Sequence, residues 1–361
     1  MPEAPISTRA VYTARPTIRV DSQEYPKVTE LLLAMTMTES EGGMAALELR
    51  FSNWTSNPQG GAGLAFEDDT LLRLGAQIAV YGGDVNTPQE IFRGLVTGLE
   101  GEFSQQAPPE LVVLAEDAFQ RSRMTRRTRT HENATLAGLA QDLAGRLGLT
   151  PVVTGLTDDI GTQVQLNESD LAFLRRLLHR YDADMQVVGA ELHVSPRADV
   201  RRGTIELAFG SQLRRVRVLA DLTHQVTELT VTGWDTAQGQ RVSGTSTGAN
   251  LGPGSGRTGA QLVRDAAGER SHHVGHLAAT SRAEAQALAD AAFDERARRL
   301  VCIDGTAEGN PALRVGAHVQ ISGMSRRFDN TYYVSRAVHR FDMQHGYRTD
   351  FEAECAYLGT P

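Results

Sequence analysis

The chain has 361 residues, 40% of them hydrophobic and 22% charged, which is enough for two or more packed domains. A net charge of -8 argues against a dedicated nucleic-acid binder. Two cysteines, Cys302 and Cys355, argue against a disulfide framework and for assembly in reducing cytosol. The N-terminus lacks a basic stretch followed by an apolar core, and no apolar run approaches the ~20 residues that span a bilayer. Neither a signal peptide nor a membrane anchor is expected.

Residues 1–120 read as short strands and turns, and hence as a first β-barrel domain. Extended runs fall at 10–20, 29–38 and 45–51, the last two flanking Glu41-Gly42-Gly43. A glycine-rich loop at 57–63 separates them from runs at 77–81, 90–101 and 110–116. Residues 121–201 read as a small α/β domain. It opens on five arginines within 121–129. No aromatic residue is interleaved to stack on a base, so a solvated strand or an intersubunit ion-pair surface is the expectation. Thr135 is a candidate N-cap for a helix with the stripe Leu136, Leu139, Ala140, Leu143 and Leu147, and Gly148 stops it. A second helix begins near 167–170 with the stripe Leu171, Leu174, Leu178 and Tyr181. A hairpin over 184–195 turns at Gly189-Ala190.

Residues 202–240 and 300–361 read as a second β-barrel domain, with strands at 204–209, 213–220 and 226–234. Trp234 is expected in its core, since Trp is highly buried on average. Residues 241–299 read as a loop-plus-helix insertion. Its first part, 241–279, is rich in Gly, Ser and Thr and is expected to be the least ordered. Ser281 and Glu284 form a capping-box pattern ahead of a helix over 281–300. Residues 310–353 alternate apolar and polar positions over three strands, with turns at Gly323, Asp329-Asn330 and Gly346. This is an antiparallel meander with one face in a core. Leu74-Gly75-Ala76-Gln77-Ile78 followed by Phe92-Arg93-Gly94 echoes Val315-Gly316-Ala317-His318-Val319 followed by Tyr332-Tyr333-Val334, so the two barrels are expected to be related. The fold class is therefore mainly β with α+β insertions: two similar antiparallel β-barrels, a small α/β domain and a helical insertion.

Three patterns invite a chemical reading. Residues 244–248 match G-x-S-x-G, but they lack the strand before and helix after that would expose Ser246 on a strained turn. Gly252, Gly254 and Gly256 resemble a phosphate cradle without a βαβ unit around it. His272, His273 and His276 could bind Zn²⁺ with Asp265 or Glu269, giving the runner-up reading of a metal-dependent hydrolase; no glutamate base stands between the histidines. Asp68-Asp69 and Asp158-Asp159 read as turn formers. No catalytic, cofactor-binding or metal-ligating residue is assigned, and no cofactor is expected. A further alternative is a β protein that binds sugars or cell surfaces.

A resemblance runs through the same residues. Asn310-Pro311, Gly316, the Val-x-Ile-x-Gly at 319–323, Phe328, the Tyr-Tyr-Val at 332–334, His339, Phe341 and the Gly-Tyr-x-Thr at 346–349 resemble the C-terminal barrel of the late control D family. The Glu-Ser-Asp-x-x-Phe-Leu at 168–174 and the strand at 228–235 resemble it too. These are baseplate hub proteins of contractile phage tails, and the N-terminal part of VgrG spikes belongs with them. The resemblance implies a non-enzymatic hub. It implies a homotrimer whose duplicated barrels form a pseudo-hexameric ring between a trimeric spike and the hexameric tail tube. Partners would be a separate spike protein, the tube protein and baseplate wedge proteins, with no specific nucleic acid. VgrG continues into a needle where this sequence ends at Pro361, and no lysozyme-like or peptidase insert is visible. The expected location is the baseplate of a phage virion or phage-tail-like particle assembled in the cytoplasm.

Overall fold

The computed structural model describes residues 15–56, 61–67, 69–83, 87–275 and 279–360. The predicted strand start at 10–14, loop positions 57–60, Asp68 and His276 lie outside them. The first half contributes β1 (Thr17–Val20), β2 (Leu32–Ser40), β3 (Ala46–Ser52), β4 (Gln77–Gly83), β5 (Pro88–Glu102) and β6 (Glu110–Glu116). They pair antiparallel in the order β1-β4-β5-β6-β3-β2. Alternation dictates which side chains meet in the core. Met35 and Met37 of β2, Leu47, Leu49 and Phe51 of β3, and Val113 of β6 are all buried.

Next come β7 (Arg126–His131), α1 (Leu136–Leu147), β8 (Thr150–Val153), β9 (Gln163–Ser169), α2 (Asp170–Arg180), β10 (Ala183–Val188) and β11 (Glu191–Pro196). The side chain of Thr135 caps α1 by accepting from the Gly138 amide, and Gly148 ends it at φ 72°. Such a left-handed terminus carries no steric cost only for glycine. The stripes of both helices bury Leu139, Leu143, Leu147, Leu171, Leu174 and Leu178 in one core. The arginine-rich segment forms β7, which pairs with β9 and is largely exposed, as a solvated strand should be. Arg123 is held by Glu116, and Arg127 lies 3.4 Å from Asp170.

The rest of the chain supplies β12 (Thr204–Ala208), β13 (Leu213–Ala220), β14 (Glu228–Asp235), β15 (Gln240–Ser246), α3 (Gly259–Ala267), β16 (Ser271–Val274), α4 (Arg282–Arg298), β17 (Val301–Glu308), β18 (His318–Ser322), β19 (Asn330–Asp342) and β20 (Gly346–Cys355). The second half pairs in the order β12-β18-β19-β20-β17-β13, antiparallel except for the parallel β12·β18 pair.

Four expectations change here. Residues 226–234 were expected in the second barrel. Instead β14 pairs with β15 and β16 in a separate sheet under α4. The intervening segment therefore leaves the barrel after Ala220 and returns at Val301. Trp234 is 56% exposed rather than buried. Leu229 and Val231 point inward, and alternation puts Gly233 on their side against Ala279, leaving Trp234 outside. Residues 241–279 are not a loose loop: they contain β15, α3 and β16, and α3 is closed by a reciprocal Thr258–Gln261 capping box. The Ser281 cap on α4 is made from one side, accepting from the Glu284 amide. The Glu284 carboxylate accepts from Thr280 instead of closing the box.

The echo between the halves extends to their register. Gly75 and Gly316 have φ 79° and 84°. Their amides donate to Val96 and Val334 at 2.8 and 2.9 Å, and the amides of Val96 and Val334 donate back to Ala76 and Ala317. Gln77 faces Leu95 as His318 faces Tyr333. Gly94-Leu95-Val96, rather than the predicted Phe92-Arg93-Gly94, thus stand where Tyr332-Tyr333-Val334 stand. Two bulges repeat as well. Register shifts after Val96 and after Val334, and again after Leu32 and after Leu213. A bulge consumes a residue at a defined place, so matching bulges mark one architecture used twice.

Candidate functional site

The strand pair that fuses the halves is β2·β19, and it makes one sheet of 13 strands among the described residues. Beside β18, β19 is long enough to offer a second stretch of the same edge. There Ala337 faces Glu39, His339 faces Met37, and Phe341 faces Met35. Glu39 is 1% exposed. Its carboxylate accepts from Arg314 Nε at 3.0 Å and Nη2 at 2.5 Å, and from the Val315 amide at 2.7 Å. Burial raises the affinity of Glu39 for a proton. Arg314, His339 and the Val315 amide outweigh it, and the net shift is downward.

On the same face, buried His339 Nδ1 is 2.8 Å from Tyr347 Oη and 3.3 Å from Thr349 Oγ1. Burial lowers the His339 pKa to about 4, with Glu39 opposing and Arg314 assisting. The folded state therefore keeps this ring neutral while the unfolded chain protonates it below about 6.5. Between those values the unfolded chain binds more protons. His339 thus makes stability fall as pH drops from 6.5 toward 4, by about 3 kcal/mol at most. Asp117, raised to about 7 by burial, contributes in the opposite sense, losing stability as pH rises through 7. The His339 contribution is isolated by comparing urea unfolding of the wild type and His339→Gln at pH 7 and pH 5. The wild type should lose about 2 kcal/mol more across that interval. Equal losses would show that His339 is not the titrating group.

A second network ties the small α/β unit to this junction. Arg197, 5% exposed, reaches Glu41 and lies 2.7 Å from Glu354, and its guanidinium stacks on the Tyr333 ring. Arg298 of α4 joins from the other side, bonded to both oxygens of Asp182 and 3.5 Å from Glu354. Asp184 holds Arg202 at 2.6 Å and accepts from the Gly42 amide. A cleft of about 500 Å³ lies over these groups, walled by Arg175, His179, Arg298 and Arg299. It carries both signs of charge and lies at the seam where three units meet.

The predicted chemical patterns are dispersed. Gly244 and Ser246 lie on β15, not in a loop. A Cβ at Gly244 would come 2.3 Å from the α4 backbone at Gln286, so this glycine exists to let the helix ride on the strand. Ser246 is 3% exposed and its Oγ accepts from the Gly248 amide. Gly254 and Gly256 let their loop cross the C-terminal strand. A Cβ there would meet Cys355 Sγ at 2.6 Å and the Leu358 carbonyl at 2.2 Å. His272 and His273 are consecutive on β16. One ring contacts Arg296 at 3.0 Å, and the other contacts Thr232 at 2.8 Å. Asp265 and Glu269 pair with Arg257 and Arg264. Among the described residues no three His, Cys, Asp or Glu side chains are grouped to hold a metal. No helix among them is long and apolar enough to cross a membrane. The junction residues Glu39 and Arg314 were missed by sequence reasoning. The only available signal was a glutamate at an inward position of an apolar strand.

This is the fold of phage-tail proteins. A 43 kDa tail protein of prophage MuSo2 from Shewanella oneidensis is similar over 94% of this chain and 97% of its own, at 13% identity and TM-score 0.69. A tail protein from Neisseria meningitidis MC58 is similar over 95% and 96%, at 11% identity and TM-score 0.67. The E. coli c3393 protein, described as a component of the type VI secretion system, is similar over 95% and 79%, at 12% identity and TM-score 0.55. Residues 61–342 match the family described as the Alg8 N-terminal domain, and the chain belongs to it. No curated protein matches the chain by sequence.

Proposed function

We propose that this chain is a structural hub subunit of a contractile injection machine, of the late control D type, and not an enzyme. Three copies form a pseudo-hexameric ring that joins a trimeric spike to the hexameric tail tube, with baseplate wedge proteins around it. The units are the two barrel halves, the small α/β unit and the segment inserted after Ala220. They assemble in the cytoplasm into a phage virion or phage-tail-like particle.

One observation carries the reading: the two halves repeat the same strand order, share two bulges, and are fused edge to edge within one chain. A chain built this way offers a threefold partner one repeat per subunit, and a sixfold partner two quasi-equivalent repeats per subunit. The likeness to tail proteins over nearly their whole length supports it. Coexpression with adjacent spike and tube genes, followed by native mass spectrometry and electron microscopy, tests it. Three copies per complex around an open channel are expected. A complex holding one, two or six copies would refute the proposed ring.

A further inference from the structure

Among the described residues, two of the unpaired strand edges match the two sides of the fused junction, which says what fits them. Among the described residues the outer edge of β13 (Leu213–Ala220) pairs with no strand beyond β17, and it is the counterpart of the β2 edge that docks on β19. The far part of β5, after its bulge at Thr97, pairs on one side with β6, and no described strand pairs with its other side. It is the counterpart of the β19 stretch that receives β2.

We infer that these two edges bind each other between copies of this chain, extending the sheet antiparallel from the β13 edge of one subunit to the β5 edge of the next. Transferring the β2·β19 register through the shared bulges places Leu99 opposite Ala220, Gly101 opposite Val218, Glu102 opposite Arg217 and Phe103 opposite Val216.

Three independent features fit that register. The first is exposure. In the fused junction Val315, Ala337 and Phe341 are 1%, 0% and 4% exposed. Their counterparts Leu74, Leu99 and Phe103 are 62%, 39% and 68% exposed. Uncovered apolar groups thus stand where the fused copy has covered ones. The second is the partner face: Val216 and Val218, which would cover Phe103 and Gly101, are only partly buried, where their counterparts Met35 and Met37 are 1% and 0% exposed. The third is charge. On the opposite face the register sets Glu102, which is also 3.2 Å from Arg50 of its own subunit, against Arg217, with Glu100 and Arg215 on the same two edges. Unlike charges facing across strands favour this pairing over like edges meeting. A free edge is a template for another strand, and here side-chain complementarity selects which one.

The joint between copies also differs from the fused one. Ala220 occupies the place of Glu39, and Arg73, counterpart of Arg314, is already 2.8 Å from Asp21. The buried ion pair that locks the halves within a chain has no counterpart between chains.

The pairing rests on the hub reading only for the number of copies. The test uses the full chain carrying Cys302→Ser with Glu102→Cys and Arg217→Cys, oxidised by oxidised glutathione and run on a denaturing gel. Residues directly opposite reach disulfide distance, whereas a Glu100→Cys/Arg217→Cys pair is displaced by two residues and does not. The first pair should convert monomer to covalent dimer and trimer and stop there, while the second stays monomeric. No covalent species with the first pair, or equal yield with both, overturns the register, even where native mass shows a trimer. A ladder running past three keeps the register and overturns the closed ring.

Discussion

Replacing Glu39 by alanine lowers stability by about 3–5 kcal/mol, because it leaves the guanidinium of Arg314 without its counter-charge inside the joint between the halves. The Val315 amide loses its acceptor as well. Urea unfolding of the single variant measures the loss. The double variant Glu39→Met/Arg314→Met should recover most of it, since removing both charges also removes their desolvation cost. A single variant within about 0.5 kcal/mol of wild type, a change typical of surface substitutions, would show that the pair does not hold the halves together.

Replacing Arg197 by alanine has an effect of similar size, about 3–5 kcal/mol, at a different place. Arg197 sits in the turn after β11 and serves Glu41, Glu354 and the Tyr333 ring together. Burial already raises the affinity of Glu41 for a proton, with Arg197 opposing that shift. Without Arg197, Glu41 and Glu354 confront each other, and the small α/β unit loses its anchor. Hydrogen exchange should therefore quicken first in β10 and β11 and in the adjoining strand β19. Uniform quickening across the first half would refute a local anchoring role.

The meander at 310–353 was legible because its period of two is strict: Val319, Ile321, Tyr347, Phe351 and Ala353 all turn inward. Both amphipathic helices of the small unit were legible because their apolar residues recur at helical spacing, and Thr135 and Gly148 mark the ends of the first. The insertion was not. On β15, Gly244 is small because α4 packs directly on it, while Ser243 and Thr245 lie on the exposed face, and composition alone reads such residues as a loop. Trp234 was misread because a mean tendency to burial says nothing about which face a residue occupies.

Local pattern determines where this chain forms strands and helices, and the two Gly-Ala echoes already point to a repeated half. Periodicity and capping are properties of neighbouring residues, so sequence carries them directly. Which strand edges meet is decided between residues hundreds of positions apart, as when Glu39 closes on Arg314. That pairing, the buried charges around it and the two edges left open follow from how the halves pack, and only the tertiary structure sets them.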